Sequence, residues 1–194
     1  VTLNTLEYFA AGLRDIGIGA RSQARILSGI KSFYHYLVME DYLDKDPTEL
    51  LEFPNIGKHL PTVLSIEEID NLLGAIDIST KEGLRNYAIL ETLYSCGLRV
   101  SELCNLKISE LYLDEGFIKV EGKGSKQRLV PISKRAIKEI NYYMLERDRF
   151  NIKKGYEDYL FISKFGKNIS RIMVFHVIKE LAEKIKIKKR RKQK

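Results

Sequence analysis

GFIKVEGKGSKQRLVPI, residues 116–132, is where the hydrophobic period of this chain changes. From Ile118 through Glu121 apolar and polar residues alternate, the period of a strand with one buried face. Gly122-Lys123-Gly124-Ser125-Lys126 has turn composition, and Arg128 to Ile132 is β-rich again, so the stretch predicts a hairpin. Elsewhere apolar residues recur at helical spacing. The fold class expected is therefore mostly α with a small β-hairpin or sheet (α+β).

Downstream of the hairpin the pattern returns to helix from Ser133 to about residue 148. A loop containing Gly155 and the apolar piece Tyr159-Leu160-Phe161-Ile162 follow, and then a last helix from about 170 to 185. Upstream, Ser65-Ile66-Glu67-Glu68 is a capping box that opens a helix over about 66–76. A helix over 82–95 stops near Gly97, and a short one is expected over 101–107.

Residues 53–62, FPNIGKHLPT, hold two prolines and a glycine without apolar periodicity, the composition of a linker. Before them, Leu3, Leu6, Phe9, Ala10 and Leu13 make one helical stripe, and Ile26, Leu27, Ile30, Phe33, Tyr34 and Leu37 make another. Gly17, Gly19 and Ser22 separate the two as a stop followed by a start. Asp44-Lys45-Asp46-Pro47 is expected to turn the chain into a short helix from Thr48 to Leu51. The organisation expected is a helical unit over 1–52, a linker over 53–62, a second unit over 63–185 and a basic tail over 186–194.

The formal charge of +7 is misleading in bulk. Residues 184–194 carry eight Lys or Arg and no acid, so without them +7 becomes −1. One cluster lies inside an ordered-looking segment: Lys119, Lys123, Lys126, Arg128, Lys134, Arg135 and Lys138, against Glu121 and Glu139. No secretory signal is expected in Val1 to Gly12, which contains Glu7 and no basic start. No stretch approaches the ~18 apolar residues of a membrane span. Cys96 and Cys104, without a companion pair, fit neither a disulfide framework nor a zinc ribbon, so a reduced, cytoplasmic setting is expected.

Gly97-Leu98-Arg99-Val100-Ser101-Glu102-Leu103 is the sharpest local feature. It places an arginine between two expected helices, beside backbone N–H groups at the start of the second, which suits a phosphoryl oxygen. Glu102, one turn on, can pair with Arg99. Lys123, between two glycines at the hairpin tip, can swing toward a phosphate, and a lysine desolvated beside other cations can donate a proton. The tip is not a nucleotide-binding loop, because Phe117 stands at the first glycine position and Gly124 follows the lysine. Paired carboxylates with metal-ligand spacing are not evident, so a metal-dependent nuclease is not expected. The bland readings are an ordinary ion-paired arginine and an ordinary turn lysine.

GLRVSEL at 97–103 followed by EGKGSKQRLVPI at 121–132 resembles the first half of the catalytic domain of tyrosine recombinases, the integrase family, and most of all its bacterial Xer type. ARILSGIKSFYHYLVMEDYLDKDPTELLEFPNIGKHLPTVLSIEEIDNLL, residues 24–73, is similar to the end of that family's helical core-binding domain, its linker and its first catalytic helix. The likeness runs from about Arg21 to Leu181. It implies that Arg99 binds non-bridging oxygens of the scissile phosphate, that Glu102 is the acidic residue supporting the site, and that Lys123 protonates the departing 5′ oxygen. By hairpin position Lys126 and Arg128 would lie near the DNA backbone, and Arg21, Arg25 and Lys31 are candidate groove or phosphate contacts at helical spacing. The family clamps double-stranded DNA between its two domains, works as assemblies of recombinase subunits, and uses no metal and no cofactor.

Where the family has a His-x-x-Arg box and, later, an attacking tyrosine that forms a 3′-phosphotyrosine, this sequence departs. His35 is followed at +3 by Val38, His59 by Thr62 and His176 by Lys179, and no tyrosine follows a second arginine motif. Tyr142 and Tyr143 read as packing residues, and His176 with Lys179 as a helix-face pair. The expectation is a recombinase fragment, short at both ends, that binds DNA without cutting it alone. The alternative is a non-catalytic nucleic-acid-binding or regulatory protein that acts through its basic tail.

Overall fold

The computed structural model describes residues 1–57, 63–122 and 124–185. The chain divides into two compact units, Val1–Pro61 and Thr62–Lys194.

In the first unit, helix α1 spans Leu3–Asp15 and helix α2 spans Ala20–Met39. Gly17 lies at φ +80°, a left-handed conformation that a β-carbon would strain, and it ends α1. Helix α2 starts before the expected Ser22, capped by Gly19 in extended conformation, and Ser22 lies in its first turn. Leu6, Leu27 and Leu51 form the small buried cluster. The expected helix from Thr48 to Leu51 is a turn. The Asp46 carboxylate accepts both the Thr48 amide at 2.8 Å and its hydroxyl, a local closure that competes with helical bonding.

The second unit comprises helices α3 (Ile66–Gly74), α4 (Lys81–Cys96), α5 (Val100–Asn105), α6 (Lys134–Glu146) and α7 (Arg171–Lys184) and a three-stranded antiparallel sheet. Strand β1 (Leu111–Tyr112) was too short to show a period in sequence, whereas β2 (Phe117–Glu121) and β3 (Gln127–Pro131) are the expected hairpin. Ile118 pairs with Val130 and Val120 with Arg128, so these four share the face turned to the core. The capping box of α3 is present: the Ser65 amide donates to Glu68 at 2.8 Å and the Glu68 amide to the Ser65 hydroxyl at 3.1 Å. Thr80 caps α4 through the Gly83 amide, and Gly97 closes that helix at φ +57°.

Helices α4 and α6 pack together through Ala88, Ile89, Ala136, Ile140 and Tyr143, all fully buried. Leu160, Phe161 and Ile162, the short apolar piece, are buried in the same core without forming a named strand. Two backbone bridges, Lys107 to Tyr159 and Ile162 to Asn168, pin the piece in place. Cys96 and Cys104 are free thiols. No helix among the described residues is long and apolar enough to cross a membrane.

Candidate functional site

The site begins with a turn. Gly97 ends α4 in the left-handed region, and Leu98 drops into the core, which sends Arg99 out at the start of α5 with its side chain 71% exposed. Glu102, three residues on, is its opposite: its carboxylate is 3% exposed. Burying a carboxylate without partners is costly, so its hydrogen bonds decide whether the arrangement holds. Glu102 Oε2 accepts the Arg99 backbone N–H at 2.9 Å, and Oε1 accepts Arg99 Nη1 at 2.9 Å. From the hairpin, Arg128 Nη1 donates to Oε1 and Nη2 to Oε2, each at 2.9 Å. Four donors from two arginines thus saturate both oxygens.

The electrostatics follow. The Arg128 guanidinium foremost, and then the Arg99 amide and side chain, hold the Glu102 carboxyl at about 2, against the upward push of burial. Glu102 is therefore ionised at any ordinary pH. Its hydrogen bonds to Arg128, and then its negative charge, in turn raise the pKa of that guanidinium. The backbone N–H of Arg99, expected to be open to an anion, is occupied by Glu102, and α5 is only six residues long. What faces outward is the Arg99 guanidinium: among the described residues no acceptor engages its Nε or Nη2.

Gly122, at the root of the hairpin tip, is shaped by this network. A β-carbon there would stand 3.3 Å from Arg128 Nη1 and 3.6 Å from Glu102 Oε1. The turn passes through Gly124 at φ +76° and Ser125 at φ +56°. Lys123 lies outside the described residues, as does the basic tail over 186–194. Lys126 is exposed, and its carbonyl closes the turn by accepting the Gly122 amide at 2.8 Å.

In the first unit, Arg21 and Arg25 are exposed one turn apart on α2, and neither makes an ion pair among the described residues. Lys31 does not share their face, since ten residues from Arg21 turn it about 80° around the helix. It is half-buried, with its ammonium 3.5 Å from the Glu49 carbonyl and 6.0 Å from the Phe53 ring centroid.

Beside Arg99 lies a cleft of about 490 Å³ whose walls include Ser101, Asn105, Lys107, Glu110 and Tyr159. None of the five is a candidate site residue by sequence, although Ser101 lies in the Gly97–Leu103 segment and Tyr159 in the short apolar piece. Ser101 and Asn105 stand at i, i+4 on α5, and this spacing was the one signal available. His176 and Lys179 are exposed on α7, where Lys179 pairs with Glu183 at 3.8 Å. Tyr143 is fully buried, as expected, but Tyr142 is 46% exposed with the Lys138 ammonium 5.5 Å from its ring centroid. Among the described residues no three His, Cys, Asp or Glu side chains gather as metal ligands would.

A family model described as "Phage integrase family" matches residues 62–193. Tyrosine recombinase XerD of Listeria monocytogenes is 37% identical over 192 residues, which are 96% of this chain and 65% of that protein. Tyrosine recombinase XerD of Pseudomonas aeruginosa is 41% identical over 178 residues, 92% of this chain and 59% of that protein. The chain thus spans less than two thirds of the length of these relatives. A crystal structure of the XerH site-specific recombinase, described as bound to palindromic difH substrate in a post-cleavage complex, matches with a TM-score of 0.75 at 22% identity. The match covers 97% of this chain and 54% of that one, and the likeness is one of fold.

Proposed function

This chain belongs to the phage integrase family, and on that premise we propose that it binds double-stranded DNA as part of a site-specific tyrosine recombinase, with Arg99 gripping the backbone phosphate at which strands are exchanged. The observation that carries this reading is the Arg99 guanidinium itself. It is tethered by one nitrogen to a buried carboxylate while its remaining donors face solvent. A planar donor fixed in this way is set out for the non-bridging oxygens of a phosphodiester, and it would stabilise the charge that grows there during transfer. Its cost of ordering is met before the ligand arrives.

In the same reading Lys123 donates the proton to the departing 5′ oxygen from the hairpin, and Lys126 stands near the backbone. Arg21 and Arg25 contact the duplex from α2, in a helical core-binding domain over 1–52 joined by the 53–62 linker to the catalytic part over 63–185. Lys31 is the third candidate contact of this unit, although its half-buried ammonium is partly engaged within the unit. The protein works with other recombinase subunits assembled on DNA, in the cytoplasm, where its two free thiols stay reduced.

Fluorescence anisotropy of a labelled duplex at fixed salt tests the reading. The double variant Arg99→Ala, Lys123→Ala is expected to bind at least tenfold more weakly, about the worth of one charge-assisted hydrogen bond. Unchanged affinity would overturn the proposal. The alternative, affinity through the basic tail, is separated by deleting residues 186–194, which carry seven Lys or Arg. Binding that survives this deletion and still depends on Arg99 supports the recombinase reading, and loss of all binding supports the tail.

A further inference from the structure

Arg128 is in an unusual place for a residue that would touch DNA. It pairs with Val120 across the hairpin, on the face that also carries Ile118 and Val130, whereas Leu129 points outward and is well exposed. Arg128 is nonetheless 42% exposed, and it is the Glu102 carboxylate, 3% exposed, that requires counter-charges within reach. Arg128 supplies one of them, giving both terminal nitrogens to Glu102. Gly122 leaves the space in which the pair closes, since a β-carbon would press on Arg128 Nη1 at 3.3 Å.

From this geometry we infer that Arg128 is a positioning residue, acting on DNA through Glu102 and Arg99 rather than by holding a phosphate itself. Each Glu102 oxygen receives one Arg128 nitrogen, so the carboxylate is fixed in plane and in rotation. Its Oε1 then presents one remaining lone-pair direction, and Arg99 Nη1 takes it. Without Arg128 the carboxylate is left buried with a single arginine partner that is itself free to leave for solvent. Arg99 then loses its fixed orientation and must be ordered by the ligand. The pair also joins two parts of the site, since Arg128 lies on β3 while Glu102 lies on α5.

This inference rests on the reading of Arg99 as a phosphate ligand, and a double-mutant cycle on the full chain tests it. The readout is anisotropy of a fluorescein-labelled duplex of mixed sequence at one salt concentration. Arg99→Ala is expected to weaken binding about tenfold in the wild-type background. In the Arg128→Gln background the same substitution is expected to change affinity by less than about twofold, because the two residues act as one unit. Arg128→Lys is not expected to restore binding, since an ammonium cannot make the two parallel bonds. Losses that multiply, or an Arg128→Lys variant that binds like wild type, would assign Arg128 to a direct phosphate contact and overturn the inference.

If Arg99→Ala leaves affinity unchanged, it is the reading of Arg99 that fails, and carbon-13 NMR titration of the Glu102 carboxyl then decides the role of Arg128. Positioning requires the Glu102 midpoint to rise from about 2 in Arg128→Gln, and an unmoved midpoint overturns it. Should Arg128→Gln not fold, as judged by circular dichroism, Gly122→Ala replaces it in both experiments. That variant crowds the same pair from the other side and is expected to shift both readouts in the same direction, less far; if neither moves, the inference is overturned.

Discussion

Glu102 grips Arg99 at two points, the backbone amide through Oε2 and the guanidinium through Oε1, each at 2.9 Å. The backbone bond is the returning half of a helix capping box, and the side-chain bond sets an exposed cation at a fixed place. One buried carboxylate thus starts a helix and orients an exposed guanidinium.

The first expectation concerns acid. Glu102 titrates at about 2 in the folded chain, against 4.5 for its unperturbed form, so folding favours its charged state. A depressed folded value means that the stability it contributes is present above pH 4.5 and is lost as pH falls through 2. With solvent screening at the two exposed arginines, the contribution is about 1–2 kcal/mol. Urea denaturation of wild type and Glu102→Gln should therefore show a stability difference at pH 6 that shrinks steadily below pH 4.5. A difference independent of pH would mean that the carboxylate is not held as described.

A second expectation isolates packing from the site. The Tyr143 phenol oxygen accepts the buried Ile162 amide at 3.0 Å, linking α6 to the apolar piece of the core. Tyr143→Phe leaves that amide without a partner and should cost about 1–3 kcal/mol in urea melts. Duplex affinity should not change, since Tyr143 is fully buried. Affinity lost in parallel with stability would place this tyrosine closer to function than its surroundings indicate.

Third, Gly83 has no room for a side chain. A β-carbon would come within 1.8 Å of the Asp77 carbonyl oxygen, a backbone atom held by the turn that opens α4. Gly83→Ala should lower stability by about 1–3 kcal/mol, although alanine is the better helix former. A stabilised variant would show that this turn yields easily.

The hairpin, the capping box at Ser65 and the stop at Gly97 were legible because each is a local signal: a period of two, a fixed i, i+3 spacing, a glycine after a helical stripe. The pairing of Arg99 with Glu102 was legible for the same reason. The second grip on Glu102 was not, because Arg128 is 26 residues away and reaches it only through the register that sets it opposite Val120. By position in the hairpin Arg128 and Lys126 are both expected near the DNA backbone, and no local pattern points Arg128 toward Glu102. Thr48 to Leu51 was misread because Asp46 satisfies the Thr48 amide locally, which apolar periodicity does not register. Tyr142 and Tyr143 read alike in sequence, yet a turn of about 100° between neighbours on a helix puts one in the core and the other at the surface. Lys31 is grouped with Arg21 and Arg25 by helical spacing in the sequence, yet ten residues from Arg21 turn it about 80° around the helix.

The most direct test is the salt dependence of duplex binding by wild type and Arg99→Ala, measured as the slope of log affinity against log salt concentration. A guanidinium that meets a phosphate releases counterions, so the variant should bind more weakly with a slope shallower by about 1. Identical slopes and identical affinities would contradict the assignment of Arg99 to a DNA phosphate.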